Sequence, residues 1–282
     1  MMKNDIPWEH CMCLGVDNTS VNIGRHNSLI VEIEKKNPDC MLMGCPCHIA
    51  HNIASHGTKV FCKALNDNFN VEDFLVDLYF HFDWSSKRKN LFAEYCSFCD
   101  QEYAKIIKFH SVRWLGLSEC LTRTLRLFPS LRSYFLSQDA GIKDQENTSR
   151  LERLVKLFSN PMLEIYCNFL NASLPYLINL NLFLQRTDPV IHLMYDALFD
   201  TSCMLLGRFM KPEFVKMYRD GKLTTSDVEN SDNYLNSDDM FVGVARNPLE
   251  YLYDDGEISQ KQHDQFLNAC LIFHKTCFLY AW

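Results

Sequence analysis

A carboxylate close to the N-terminus is a side chain whose type and position could do chemistry. Asp17 directly follows the short apolar run Cys11–Val16 and precedes Asn18, Thr19 and Ser20, which favour the start of a helix. In α/β sheets, functional groups gather at the carboxyl ends of strands. A carboxylate in this position either binds Mg²⁺ or caps the following helix, and the position alone leaves both roles open.

Thiol and imidazole side chains form a second candidate group, which consists of Cys45, Cys47, His48 and His51. Their spacing is too tight for a zinc module made of two separated ligand pairs, unless Cys96–Cys99 supplies the second pair. The other interpretation is that the cysteines are small buried groups and the histidines form local hydrogen bonds. Because pairs arise easily among thirteen cysteines, we predict that Cys45 and His48 lie close together and bind no zinc.

A basic segment, Trp84–Arg132, contains nine Lys or Arg residues and four Asp or Glu residues. The whole chain instead has 28 basic and 35 acidic residues, which argues against a free-standing DNA-binding module. Within the basic segment, Lys87, Arg88 and Lys89 are the candidate nucleic-acid-binding residues. A solvated helix face explains the same charges, and three residues are too few to define a nuclear import signal.

The composition limits the class of protein. With 282 residues, of which 47% are hydrophobic, the chain is long enough and apolar enough to bury a core. Thirteen cysteines are an odd number and the N-terminus does not resemble a secretory signal, so we expect reduced thiols inside a cell. No apolar run approaches the roughly 20 residues that span a bilayer, so we predict no membrane partner.

The first part of the chain alternates between short apolar runs and a helical pattern. Cys11–Val16 and Cys40–Gly44 each have the length and composition of a buried strand. Between them, Val21–Lys36 has apolar residues at helical spacing. Two strands joined by one helix follow the right-handed crossover rule, so we predict adjacent parallel strands with the helix across one face. The predicted fold class is therefore α/β.

From about residue 69 onward the pattern is helical. Apolar residues at steps of three and four predict helices over Val71–Phe82, Lys89–Cys99 and Arg113–Phe128. Lys222–Asp239 is polar and acidic, and we predict a mobile loop there. Ala269–Trp282 has the pattern of an apolar helix without a stop signal, and we expect both ends of the chain to be cuts through a larger fold.

Three sequence motifs are informative chiefly through their order. The first is GVDNTSVNIG at Gly15–Gly24, the second is GCPCHIAHN at Gly44–Asn52, and the third is HSVRWLGLSEC at His110–Cys120. An aspartate at a strand end, then Cys-x-x-His, then Arg-Trp opening a helix resembles the order in hAT-superfamily DNA transposases. The similarity is closest to domesticated or decayed animal relatives, and it covers roughly Trp8–Phe135, under half of the chain.

The resemblance implies a ribonuclease-H-like core in which three carboxylates hold two divalent ions, Mg²⁺ or Mn²⁺, for attack on a phosphodiester. The second carboxylate corresponds to Asp17, which we interpret as a vestigial metal ligand. The first belongs to an earlier strand, and the third, a glutamate, has no convincing counterpart before Trp282. We therefore expect no cofactor in this chain itself. The remaining motif residues are Cys45, His48, Arg113 and Trp114.

Two of these motif residues have competing roles. Arg113 either contacts DNA or pairs with an acidic core residue, because guanidinium groups do both. Trp114 lies on an apolar stripe at helical spacing, so we expect it to pack in the core.

The resemblance also implies a division of the chain and a function. We predict a partial ribonuclease-H-like core at 7–115 and an all-helical insertion region at 116–282 that is cut short. The implied function is that of a transposase-derived nuclear protein without self-sufficient DNA cleavage, with DNA as an expected partner. One alternative is a domesticated nuclear interaction or regulatory module that binds proteins or itself through the helical region. The other is a nuclease completed by another chain, although a split sheet would leave open edges.

Overall fold

Two short parallel strands form the sheet of this computed structural model, which describes residues 7–110, 115–137 and 148–282. Strand β1 is Cys13–Val16 and strand β2 is Met41–Gly44, with Cys13 opposite Met41 and Val16 opposite Gly44. The prediction of adjacent parallel strands within 11–16 and 40–44 is thereby confirmed. The sheet is small, and the described part of the chain is otherwise mostly helical.

The connection between the two strands differs from the sequence prediction. Instead of one helix over Val21–Lys36, it contains α1 (Ser20–Ile23) and α2 (Leu29–Glu34). Gly24 ends α1 with an extended backbone, and the Ser28 hydroxyl caps α2 by accepting a hydrogen bond from the Val31 N–H at 3.4 Å. The polar residues between the two helices therefore interrupt the helix, because a capping side chain begins a new one.

Helices α3 to α7 follow the sheet. They are α3 (Pro46–Leu65), α4 (Val71–Asp83), α5 (Ser86–Phe98), α6 (Leu115–Arg126) and α7 (Phe128–Leu136). The helices predicted over 71–82 and 89–99 are confirmed as α4 and α5. The third predicted helix, 113–128, overlaps α6 and stops at Arg126, because α7 then begins with Pro129 in its first turn.

The remaining helices build the larger part of the molecule. They are α8 (Thr148–Phe158), α9 (Met162–Ser173), α10 (Pro175–Leu184), α11 (Ile191–Leu206), α12 (Pro212–Arg219), α13 (Thr225–Glu229), α14 (Arg246–Asp254) and α15 (Gln260–Ala281). Among the described residues, no helix combines the length and the apolar character needed to cross a bilayer.

The segment Lys222–Asp239 is not the loop that its composition predicts. It contains α13, which begins with a capping box between Thr224 and Asp227, and it buries Val228 completely. The Tyr234 hydroxyl donates to the Val228 carbonyl at 2.8 Å and accepts from Lys275 Nζ on α15 at 2.8 Å. These contacts attach the segment to the helical core.

One buried apolar cluster extends through the described helices, from Ile53 on α3 to Phe278 on α15. Helices α3 and α15 pack closely against each other, and the Phe61 ring lies edge-on to Phe266 and Phe273. Residues on both sides of position 115 contribute to this cluster. The domain boundary near residue 115 stays a prediction.

The closest approach of α3 and α15 gives a test of their packing. A Cβ atom on Gly57 would overlap Cys277 Sγ and would lie 3.2 Å from Cε2 of Phe273. We expect Gly57→Ala to lower the free energy of unfolding by about 1–3 kcal/mol in urea denaturation, because overpacking outweighs the roughly 1 kcal/mol gain in helix propensity.

Gly116→Ala is the matched control, since a Cβ atom on Gly116 in α6 would meet nothing within 4 Å. It should raise the free energy of unfolding by up to about 1 kcal/mol, the propensity difference alone. Equal stabilisation by the two substitutions would contradict the close packing of α3 on α15.

Candidate functional site at the carboxyl end of the sheet

The carboxyl ends of β1 and β2 lie side by side and bring the two N-terminal motifs together. Asp17 and Asn18 directly follow β1, and Cys45 directly follows β2. The Cys45 N–H donates to the Val16 carbonyl at 2.8 Å, and Asn18 Nδ2 donates to the Cys45 carbonyl at 3.5 Å. The parallel pairing therefore joins the candidate carboxylate and the candidate thiol group in one site.

The glycine at the end of β2 leaves room for the Asn18 side chain. A Cβ atom on Gly44 would overlap the Asn18 side-chain oxygen. Asn18 therefore lies between the two strand ends and contacts both. The sequence pattern suggested only a capping role for it, and no local signal predicted this contact across 26 residues of intervening chain.

The Asp17 carboxylate is held by local donors. Its Oδ1 atom accepts hydrogen bonds from the Thr19 N–H at 3.1 Å, the Thr19 hydroxyl at 2.6 Å and Asn22 Nδ2 at 2.6 Å. The Thr19 hydroxyl, the Thr19 N–H and the Asn22 amide, in that order, lower the pKa of Asp17, because each stabilises the carboxylate. Asp17 thus orders the turn into α1, although Thr19 is the N-cap residue and no side-chain hydrogen bond caps this helix.

The surroundings of Asp17 bear on its capacity to hold a metal ion. The nearby His48 imidazole adds to the lowering of the Asp17 pKa. In the part of the chain that the structure describes, no three His, Cys, Asp or Glu side chains are arranged to hold a metal ion. A two-metal site needs several carboxylates around its ions, and Asp17 by itself would bind Mg²⁺ or Mn²⁺ weakly.

The thiol and imidazole group lies on the first turns of α3. Cys45 is the N-cap residue, and the His48 N–H donates to its carbonyl at 3.1 Å. The His48 and His51 rings are 6.4 Å apart and tilted. Burial and then the charge of Cys45 raise the pKa of Cys47. Cys45 and His48 are therefore close, and the absence of zinc stays a prediction.

The proposed second zinc pair lies elsewhere in the fold. Cys96 is fully buried on α5, where burial raises its pKa and a hydrogen bond with Ser130 of α7 lowers it. The Cys99 thiol, one turn further on, also raises the pKa of Cys96. These contacts point toward α7 and give no connection to Cys45.

A residue of α10 holds the start of α3 in place. Asn181 is 5% exposed, and its Nδ2 atom donates to the Cys47 carbonyl at 2.9 Å. Sequence reasoning missed this contact, because the two partners are 134 positions apart and α10 contains a second asparagine, Asn179, so that the sequence does not single out Asn181. It connects the motif region to the helical region.

The basic residues at the start of α5 are largely engaged by the protein. Arg88 Nη1 donates to the His81 carbonyl at 3.1 Å, and Lys89 Nζ donates to the Asp83 carbonyl at 2.8 Å. Both acceptors are in the last turn of α4, where backbone carbonyls lack helical partners. Lys87 is exposed, as is the neighbouring Trp84 side chain at 81%. Nucleic-acid binding by the three basic residues stays a prediction.

The remaining motif residues, Arg113 and Trp114, lie outside the described residues. Comparison with known proteins adds no assignment: no family model, no curated protein and no solved structure matches the chain.

Proposed function

We propose that this chain is a transposase-derived protein of the hAT type that does not cleave DNA by itself. The order of the three motifs supports the origin. The parallel pairing of β1 with β2, and the position of Asp17 at their carboxyl ends, fit the corresponding part of a ribonuclease-H-like core.

The observation that carries the lack of cleavage is the environment of Asp17. Its Oδ1 atom accepts hydrogen bonds from Thr19 and Asn22, and its titratable neighbour is the His48 imidazole. Other acidic side chains are engaged at a distance from it. Glu32 on α2 forms an exposed ion pair with Lys35 at 2.6 Å, and Asp227 completes the capping box of α13. A pair of divalent ions about 3.5–4 Å apart needs ligands that these positions do not offer.

The test compares the wild-type chain with Asp17→Ala and Glu32→Ala on duplex and hairpin DNA in Mn²⁺. We expect no cleavage by any of the three proteins, because one carboxylate cannot position two ions and a phosphodiester. Gel analysis of end-labelled DNA provides the measurement.

Glu32→Ala serves as the matched control, because it removes an exposed carboxylate that is outside the sheet end. Cleavage by the wild type and by Glu32→Ala, but not by Asp17→Ala, would contradict the proposal. That result would favour the nuclease completed by another chain.

DNA and a nuclear location belong to the same proposal. DNA is the substrate class of the superfamily, and a protein that binds chromosomal DNA acts in the nucleus. The exposed Lys87 and Trp84 side chains offer a charge for phosphate and a ring for base stacking.

A second candidate function, protein interaction, rests on an exposed apolar surface at the adjoining helices α10 and α11. Ile191 and Tyr195 lie one turn apart on the same face of α11 and are 67% and 72% exposed, and Leu182 near the end of α10 is 54% exposed. Clustered apolar side chains at a protein surface mark interaction sites more often than scattered ones. Self-association through this surface is the form of the hypothesis that the chain alone can test.

We expect the double variant Ile191→Lys and Tyr195→Lys to be monomeric under conditions in which the wild type self-associates. The two residues are one helical turn apart, so both charges would enter the same contact. Light scattering coupled to size exclusion measures the mass. Val244→Lys, at another exposed apolar residue, should leave the mass unchanged. A monomeric wild type at high concentration would contradict self-association.

A further inference from the structure

Three cysteines cluster at the amino end of the sheet, opposite the candidate site. Cys11 and Cys13 flank the start of β1, and Cys40 directly precedes β2. The Sγ atoms of Cys11 and Cys40 are 3.8 Å apart, although 28 residues separate them in the sequence. None of these three thiols belongs to the three sequence motifs.

Asn37 holds the two closest cysteines in register. Its Nδ2 atom donates to the Cys11 carbonyl at 2.9 Å, and its own carbonyl accepts from the Cys40 N–H at 3.2 Å. The adjoining residues are paired as well, since the Met41 N–H donates to the Met12 carbonyl at 2.9 Å. Asn37 is 8% exposed, so these hydrogen bonds are protected from water. These hydrogen bonds hold the backbone at Cys11 and Cys40 in place, with the two sulfur atoms in contact.

The two thiols differ in accessibility. Cys40 is 7% exposed, whereas Cys11 is half-buried. Burial, and then the hydrogen bond and charge of Cys11, raise the pKa of Cys40. An oxidant in solution therefore reaches Cys11 first, and Cys40 is the neighbouring thiol that can react with the product.

We propose that Cys11 and Cys40 form a dithiol modification site that peroxides convert into an intramolecular disulfide. The Cys11 thiolate attacks one oxygen of hydrogen peroxide, which gives the sulfenic acid and releases hydroxide. The Cys40 sulfur then attacks the Cys11 sulfur, so that the S–S bond forms, the S–O bond breaks, and the hydroxyl group leaves with the Cys40 proton as water. The two sulfurs together lose two electrons, which the peroxide accepts.

The Cys11–Cys40 contact joins the starts of two strands, whereas the contact between Cys45 and Cys47 is local to the first turn of α3. A disulfide needs its sulfur atoms about 2.05 Å apart, so the Cys11 and Cys40 sulfur atoms, which are 3.8 Å apart, have to approach each other by about 1.8 Å. Cys167, Cys270 and Cys277 are fully buried and shielded from a soluble oxidant. The resulting bond fastens the beginning of β1 to the beginning of β2.

The experiment treats the reduced, full-length chain with hydrogen peroxide, alkylates the remaining thiols and maps the cross-links by mass spectrometry. Cleavage after Lys or Arg places Cys11 and Cys40 in different peptides, and fragmentation of the linked peptides within the mass spectrometer distinguishes Cys11 from Cys13 and Cys40 from Cys45. We expect one reducible pair of peptides containing Cys11 and Cys40, with a mass two hydrogens below their sum.

Variants and an unfolded control make the result decisive. The cross-link should be lost in Cys11→Ser and in Cys40→Ser and should persist in Cys13→Ser. In denaturant the chain should instead join near neighbours such as Cys45 and Cys47, because short loops close most readily. Pairing of Cys40 with Cys13, preferential Cys45–Cys47 pairing in the folded chain, or no cross-link at all would each overturn the proposal.

Discussion

Replacing Phe61 by alanine is expected to lower the free energy of unfolding by about 3–5 kcal/mol. The Phe61 side chain is fully buried on α3. Its ring stacks on Phe169 of α9 with centroids 4.9 Å apart and lies edge-on to Phe266 of α15 at 6.3 Å. The substitution removes the apolar contacts and leaves a cavity among three helices that cannot all move inward. Urea denaturation followed by circular dichroism measures the change.

Phe98→Ala is the matched control, because Phe98 ends α5 with 83% of its side chain exposed. Substitution at such a surface position should change the stability by less than about 0.5 kcal/mol. The shape of the Phe61→Ala transition is informative as well. One cooperative transition would show that α3 and α15 unfold together. Two transitions, with only one of them shifted, would contradict a shared core and would favour the boundary near residue 115 as a true domain boundary.

The two strands could be predicted from the sequence because every local signal agreed. Cys11–Val16 and Cys40–Gly44 are short apolar runs bounded by polar residues, and the helical pattern between them favours a crossover connection and hence parallel pairing. The break between α1 and α2 could not be read from periodicity. Ile23 and Leu29 continue the apolar spacing across it, while the Ser28 cap that begins α2 is a hydrogen bond and not a pattern.

The composition of Lys222–Asp239 led to a wrong prediction of a loop, whereas the capping residues within the segment indicate a helix. Lys222–Asp239 is polar, and the composition therefore favours a loop. The spacing of Thr224 and Asp227 is nevertheless that of a capping box, with Val228 as the apolar residue that follows. This local signal was present in the sequence and predicts the start of α13.

The candidate site was predictable only where its contacts are local. The sequence places Asp17 after a strand and beside its donor Thr19, two residues away. Asn181 contacts Cys47 only because α10 packs on α3, and no pattern within α10 indicates this packing. The roles of Arg88 and Lys89 depend in the same way on the position of the last turn of α4. A sequence shows which residues are charged, whereas the tertiary structure determines which hydrogen-bond acceptor each of them contacts.

Two buried histidines make the stability dependent on pH. His81 is 2% exposed and its Nε2 atom is 3.0 Å from the Tyr134 hydroxyl, while His274 is completely buried with Nε2 2.8 Å from the Phe241 carbonyl. Burial, and then the charge of nearby arginines, lowers the pKa of each histidine to about 3. In the unfolded chain the pKa of each histidine is about 6.5. Between these values the unfolded state binds more protons than the folded state.

The free energy of unfolding is therefore expected to fall on acidification from about pH 6.5 toward pH 3, by about 1.4 kcal/mol per pH unit for each histidine. Above pH 6.5 the contribution is fully present, because both states are then neutral.

Replacing His274 by asparagine should reduce the slope of the free energy of unfolding against pH, between pH 6 and pH 4, by about 1.4 kcal/mol per unit, whatever it does to the stability at pH 7. Urea denaturation at a series of pH values gives the slope. His192→Asn, at an exposed position on α11, should leave it unchanged. A His274→Asn variant with the wild-type slope would show that His274 is protonated in the folded protein, which would require the helices around it to admit water.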